Sequence, residues 1–170
     1  MPVMLHAQPT YDEVMQLPLT YEATVTDEWI DVMGHMNVAH YTAAFSAAMQ
    51  RVRSSLGWDD QLVTEKHVGS FAIETHTRYV AELRVGERLE IFSRVIGRSR
   101  SQKCLHAMHF MMNADTRRLS ATFEAIVANV DLSNRRMAPI LPEVLVRLDE
   151  MIARHGQLAW APPVCGALSC

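Results

Sequence analysis

The stretch from Asp27 to Gly57, DEWIDVMGHMNVAHYTAAFSAAMQRVRSSLG, constrains the fold more than any other part of the chain. In its second half Tyr41, Ala44, Phe45, Ala48, Met49, Val52 and Leu56 recur at the three-and-four spacing of one apolar helix face. The alanines and serines let such a helix lie very close to whatever it packs on. Asn37 is the expected N-cap, because its side chain can accept from free amides of the first turn. Gly57 suits the left-handed residue just past the helix end. Before the cap sits a polar knot of Asp31, Gly34, His35 and Asn37 on an irregular segment. A helix start offers unpaired N–H groups and a partial positive charge, the equipment that stabilises an oxyanion. A carboxylate, a glycine turn and a helix start within seven residues form a candidate active site.

The rest of the chain is expected to supply a sheet for that helix. Thr10–Leu17 reads as a short helix, with Thr10 and Glu13 matching a capping box and Pro18 stopping it, after a loose residue 1–9 stretch. Leu19–Thr26 reads as a strand entering the polar knot, and Trp58–His67 as a polar connection. Val68–Leu83 is β-rich, Arg84–Val85–Gly86 is a turn, and Arg88–Ile96, Lys103–Asn113 and Leu119–Val130 follow as strands at hairpin distances. Pro142 starts a C-terminal helix that Gly156 closes, and the 157–170 tail is expected to be irregular. The fold class is α+β: an antiparallel five-stranded sheet wrapped around one central helix, plus a C-terminal helix. The 170 residues are expected to form a single domain, with its core at about 19–142 and its C-terminal helix over 143–156. Both strand faces carry apolar residues, so the outer face is expected to be covered by a partner subunit, in a homodimer or a dimer of dimers.

A net charge of −3 gives no basic excess for nucleic acid. No signal peptide and no membrane span are expected, and the three cysteines fit a reduced, cytoplasmic protein. Cys104 lies inside a strand pattern and is expected in the core rather than as a nucleophile. His35 and His40 lack a third ligand at a sensible spacing, so no metal site is expected.

The segment EWIDVMGHMNVAHY resembles the active-site signature of hotdog-fold acyl-CoA thioesterases of the 4-hydroxybenzoyl-CoA thioesterase type. That signature runs Asp, two residues, Gly-His, a hydrophobic residue, Asn-Asn, two or more residues, then Tyr. Asp31, Gly34, His35, Asn37 and Tyr41 match it, and Val38 replaces its second asparagine. NRRMAPILP is similar to the family's closing segment, and AIETHTRYVAELRVGERL resembles the betainyl-CoA thioesterase branch found with carnitine dehydrogenase. The resemblance implies an acyl-CoA thioesterase that needs no cofactor beyond the coenzyme A of its substrate. Asp31 would act as nucleophile or general base, His35 would orient it or the thioester, and the Val38 amide would hold the oxyanion at a terminus fixed by Asn37. Gly34 would make the tight turn. For a betainyl group, Trp29, Tyr41, Trp58 and Phe71 are candidates for an aromatic cage and Glu74 for the anion, with His76 beside it. On the same strand, the ladder Glu74–His76–Arg78 can instead face solvent or an interface. Arg98, Arg100 and Lys103, or Arg135 and Arg136, are candidates for the phosphates of CoA. A medium-chain or aromatic acyl-CoA, or a non-catalytic acyl-CoA-binding role, are the alternatives.

Overall fold

The computed structural model describes residues 8–170; most of the stretch expected to be loose lies outside them. Six antiparallel strands form one sheet: β1 (Leu19–Thr24), β2 (Val68–Tyr79), β3 (Arg88–Arg98), β4 (Cys104–Asn113), β5 (Arg118–Asp131) and β6 (Arg136–Met137). The order is β1-β3-β4-β5-β2, with the two-residue β6 pairing to β5 as an addition to the five strands expected. Helix α1 spans Tyr11–Val14, α2 Val38–Ser55, α3 Asp60–Lys66 and α4 Pro142–Gly156. No helix among the described residues is long and apolar enough to cross a membrane.

Helix α2 fills the concave side of the sheet, as its apolar stripe requires. Tyr41, Ala44, Phe45 and Ala48 pack on Leu89, Ile91, Met111 and Ala121, and further along Val52 and Leu56 meet Val95, Leu105 and Val127. Phe45 is fully buried and stacks on Phe123 at 5.0 Å. The Asn37 side chain accepts from Ala39 N at 2.9 Å, and Gly57 takes a φ of +73° beyond the helix. Both ends therefore lie where the sequence put them. The Thr10–Glu13 capping box is also present in full, although its helix is a single turn.

Three features depart from expectation. Trp58–His67 is not a plain connection: Asp59 caps α3 by accepting from Leu62 N, and Leu62 and Val63 pack on the core. Strand β2 ends at Tyr79, four residues early, because Val80 and Ala81 both donate to Ser120 O and the chain then leaves to meet Met36, whose amide donates to Leu83 O at 2.8 Å. The outer sheet face is covered largely by the chain itself. Val14 and Leu17 from the N-terminal side and Trp160 from the tail seal Phe92, Met108, Phe110 and Met112. Arg94 locks this cover by donating to the Trp160 and His155 carbonyls at 2.8 and 2.9 Å, at the C-terminal end of α4. Toward the edge strand β2 the same face stays open, with Phe71 and Glu74 exposed.

Two buried histidines make stability depend on pH. His109 is fully buried and its pKa is pushed down to about 3 by desolvation. His155 is lowered to about 4, first by burial and then by Arg154, and its Nδ1 accepts from Val95 N at 2.9 Å. Below an ordinary histidine pKa of ~6.5 the unfolded chain takes up protons that the folded one refuses. Stability should thus be flat above pH ~6.5 and fall as pH drops toward 4, by up to ~1.4 kcal/mol per pH unit for each histidine. Urea midpoints between pH 7 and pH 5 check this, ahead of most carboxylate titration; His109→Gln should make the slope shallower, and an unchanged slope would contradict the assignment.

Candidate active site

The polar knot is built as a pinned loop. Asp31 N donates to His35 O at 3.1 Å, Gly34 N to Asp31 O at 3.0 Å, and Asn37 N to Trp29 O at 2.8 Å. Gly34 has a φ of +81° and closes this turn where a side chain would be strained. The Asp31 carboxylate accepts from Met33 N at 2.9 Å through Oδ1, while Oδ2 lies 3.4 Å from Asn37 Nδ2. Asp31 thus makes the Asx turn that a purely structural aspartate would make, and still leaves much of Oδ2 uncommitted. The ring of His35 meets Met36 O at 3.3 Å, and His40 stacks on Trp29 at 5.2 Å.

The loop and the start of α2 border a cavity of about 470 Å³. Asp31, His35, Asn37, Val38 and Tyr41 line one side, and Tyr79, Val80, Ala81 and Glu82 the other. The Val38 amide stands at the first helical position, where no intrahelical acceptor exists, and makes no hydrogen bond among the described residues. A carboxylate and a free amide on one cavity can act on a carbonyl from two sides: one delivers or becomes the nucleophile, the other holds the oxygen. Tyr41 is buried, which raises its pKa, and its ring meets Tyr79 edge-on at 5.2 Å.

Several expected contributors stand elsewhere. Trp58 is 1% exposed in the core with Val52, Leu56 and Leu148, so it cannot wall a substrate cage. Phe71, Glu74 and His76 do not border this cavity, and they face outward: Phe71 pairs with Ala128, Glu74 with Ile126 and His76 with Glu124, all on the sheet face opposite α2. A bulge at Ile73 puts Phe71 and Glu74 on one side despite their odd spacing. Trp29 is stacked on His40 and also stands outside the cavity lining. Of the proposed cage, only Tyr41 lines the cavity; the residues the sequence reading missed are Tyr79 and Glu82.

The basic clusters lie at the far end of the sheet. Arg98 pairs with Leu105, and Leu105 in turn with Val127, whereas the cavity lies by the Tyr79–Ala121 pairing. Arg98 is bound to Asp149 of α4 at 2.5 Å, while Arg100, Arg135 and Arg136 are exposed and Lys103 is half-buried. A second cavity, about 570 Å³, runs between α2 and β2, bordered by Thr42, Ser46, Met49, Arg53, Ser70 and Thr75 among others. Arg53 is half-buried there, donates to Ser70 Oγ at 2.5 Å, and has its pKa lowered chiefly by desolvation. Cys104 is buried under the tail, and burial raises its thiol pKa, as suits a core residue.

Residues 25–148 match the model of a family described as the thioesterase-like superfamily. The chain belongs to that superfamily. A Pseudomonas aeruginosa relative of this thioesterase-like chain, named betainyl-CoA thioesterase, is 30% identical over 158 residues, covering 88% of this chain and 98% of its own length. A protein of Agrobacterium fabrum named L-carnitine dehydrogenase/betainyl-CoA thioesterase is 29% identical over 135 residues, which cover 79% of this chain and 27% of that protein. Among solved structures, a Staphylococcus aureus protein characterised in complex with CoA gives a TM-score of 0.80 at 22% identity, over 91% of this chain and 96% of that one. A putative thioesterase from Pseudomonas putida gives 0.74 at 25% identity, over 96% and 98%. The fold of this thioesterase-like chain is the hotdog: a curled antiparallel sheet around a central helix.

Proposed function

We propose that the protein hydrolyses a short polar acyl-CoA, with betainyl-CoA the favoured substrate, using Asp31 and the amide of Val38. The enzyme class follows from the family: it is an acyl-CoA thioester hydrolase. The observation that carries the site is the single cavity lined by both Asp31 and Val38. With the thioester oxygen on the Val38 amide, Asp31 either takes a proton from the water that attacks the carbonyl carbon, or attacks it itself to give an acyl-aspartyl anhydride that water hydrolyses after CoA has left. The C–S bond then breaks, the CoA thiolate leaves and is protonated, and the free acid remains. Because the oxyanion donor is a backbone group, a valine serves where the family signature has asparagine. His35 and Asn37 position the loop and the helix start, and Gly34 keeps the turn tight.

The 30% identical relative named betainyl-CoA thioesterase supports the choice of acyl group. A trimethylammonium head wants an aromatic face and an anion. The cavity lining offers one of each: Tyr79, with its half-exposed ring, and Glu82, whose carboxylate also pairs with Arg84. These take the place of Glu74 and the dispersed cage. For CoA, Arg53 joins the two basic clusters as a candidate phosphate contact. Fifteen residues of α2 separate it from Val38, about 22 Å at 1.5 Å per residue, a span comparable with an extended pantetheine arm.

A cytoplasmic homodimer, or a dimer of dimers, completes the proposal. Support for assembly comes from edge strand β2, which leaves Phe71, Ile73 and Tyr79 half-exposed. Light scattering at the 19.2 kDa of one chain would exclude it.

Glu82→Gln tests the acyl-group reading at nearly constant shape. It should lower kcat/KM on betainyl-CoA about two- to fivefold, as expected for loss of an exposed charge contact of ~0.5–1 kcal/mol. Tert-butylacetyl-CoA, the uncharged isostere, should be little affected. Equal losses on both would make Glu82 a structural residue of the cavity wall.

A further inference from the structure

We infer that His76, Glu124 and Cys165 form a zinc site that fastens the carboxy-terminal tail to the outer face of the sheet. The three residues come from β2, β5 and the tail, and one ligand atom from each lies within 4.8 Å of the others. His76 and Glu124 are direct cross-strand partners, so the backbone register itself fixes two of the ligands side by side. The site is on the opposite face of the sheet from Asp31, so it takes no part in the thioester chemistry.

Glu124 is the observation that demands an explanation. It is 1% exposed, beside an apolar cluster of Cys104, Ile126, Ala128 and Val130. A carboxylate buried so fully is expensive unless a cation compensates it. Neither an arginine nor a lysine reaches it among the described residues: Oε1 accepts from His106 Nε2 at 2.8 Å and Oε2 from Cys165 N at 2.7 Å. His106 is its one cation-capable partner, and a divalent ion would place a full positive charge on the side toward His76 and Cys165. His106 then orients the ligating carboxylate, the supporting contact that metal ligands regularly have.

The sulfur is prepared as well. Ala167 N donates to Cys165 Sγ at 3.4 Å across a turn in which Gly166 takes a φ of +76°. This contact and the turn fix where the sulfur stands relative to His76 and Glu124. One imidazole, one carboxylate and one thiolate make a borderline-soft set of the kind zinc accepts, with a water completing four-coordination. Bonds of ~2.0–2.3 Å place tetrahedral ligands about 3.4–3.8 Å apart, so closure needs roughly an ångström of movement. His76 on the edge strand and Cys165 on the irregular tail are both half-buried and placed to give it. Binding exchanges the thiol proton for the metal and releases it to solvent. Ligands at positions 76, 124 and 165 have no local spacing, which is why a reading centred on His35 and His40 found none.

The test is a titration of the EDTA-dialysed full chain with cobalt(II). One equivalent should produce a thiolate-to-cobalt charge-transfer band in the near ultraviolet together with visible bands of tetrahedral intensity, and zinc should erase them. Metal analysis after zinc loading and dialysis should find about one ion per chain. Cys165→Ser should abolish the charge-transfer band, His76→Gln should weaken affinity at least tenfold, and Cys170→Ser should leave both unchanged. Zinc should also slow proteolysis of the 157–170 tail in the parent and not in Cys165→Ser, with circular dichroism confirming that each variant keeps its sheet. Absence of the band, its survival in Cys165→Ser, or zinc at a tenth of an equivalent or less would overturn the site and leave His106 alone to hold Glu124.

Discussion

Asp31→Asn is expected to lower turnover of an acyl-CoA thioester at least a hundredfold while leaving the fold in place. The substitution keeps the size of the side chain and the oxygen that accepts from Met33 N. The two bonds that shape the turn, Gly34 N to Asp31 O and Asp31 N to His35 O, are backbone groups and survive it. What disappears is the negative charge that attacks the carbonyl or draws a proton from water. A positioned base contributes ~10²–10⁴ in rate, and a lost nucleophile more. Because Asp31 is only half-buried, the stability change should stay within about 1 kcal/mol. Thiol release under saturating substrate, with circular dichroism as the fold control, separates the two effects. Turnover within a few-fold of the parent would remove the carboxylate from the chemistry.

Phe45→Ala should carry the largest stability loss of any single truncation along α2, about 3–5 kcal/mol. Phe45 is fully buried between helix and sheet, stacked on Phe123 with an interplanar angle of 17° and 6.3 Å from the ring of His109. Its neighbours Ala44 and Ala48 are too small to collapse into the gap, so the cavity would persist. At ~2–4 °C per kcal/mol for a chain of this size, the thermal midpoint should fall by roughly 6–20 °C. A loss below 1 kcal/mol would mean that α2 does not seat on the sheet through this residue. Activity well below the new midpoint should be largely retained, since Phe45 borders neither cavity.

What was legible in the sequence was local. The ends of α2 were marked by a cap and a glycine, the capping box at Thr10 by its own spacing, and the start of α4 by Pro142, because each signal lies within a turn of the structure it causes. Helix α3 carried a usable signal too, Asp59 three residues before Leu62, which the charged composition around it obscured. The motif gathered Asp31, Gly34, Asn37 and Val38 because one loop and one helix start hold them all. The far wall of the cavity was not legible. Tyr79 and Glu82 reach it only because β2 ends early and the chain turns toward Met36, a contact spanning more than forty residues. Alternation along β2 correctly separated Glu74, His76 and Arg78 from Thr75, Thr77 and Tyr79, but could not say which set would face α2. Glu74 and Phe71 were lost to that choice and to the bulge at Ile73, Trp58 to the core and Trp29 to its stacking on His40. The cover of the outer face by Trp160 was hidden for a similar reason, since an irregular tail announces no face of its own.

The acyl-CoA assignment is tested most directly by thiol release from betainyl-CoA and from tert-butylacetyl-CoA by the unmodified protein. Hydrolysis of betainyl-CoA is predicted, with kcat/KM at least tenfold above that for the uncharged isostere, the discrimination expected from a contact of ~1–2 kcal/mol to the cationic head. Equal efficiency on the two esters would contradict recognition of the charge, and no thiol release from either would contradict the proposed substrate class.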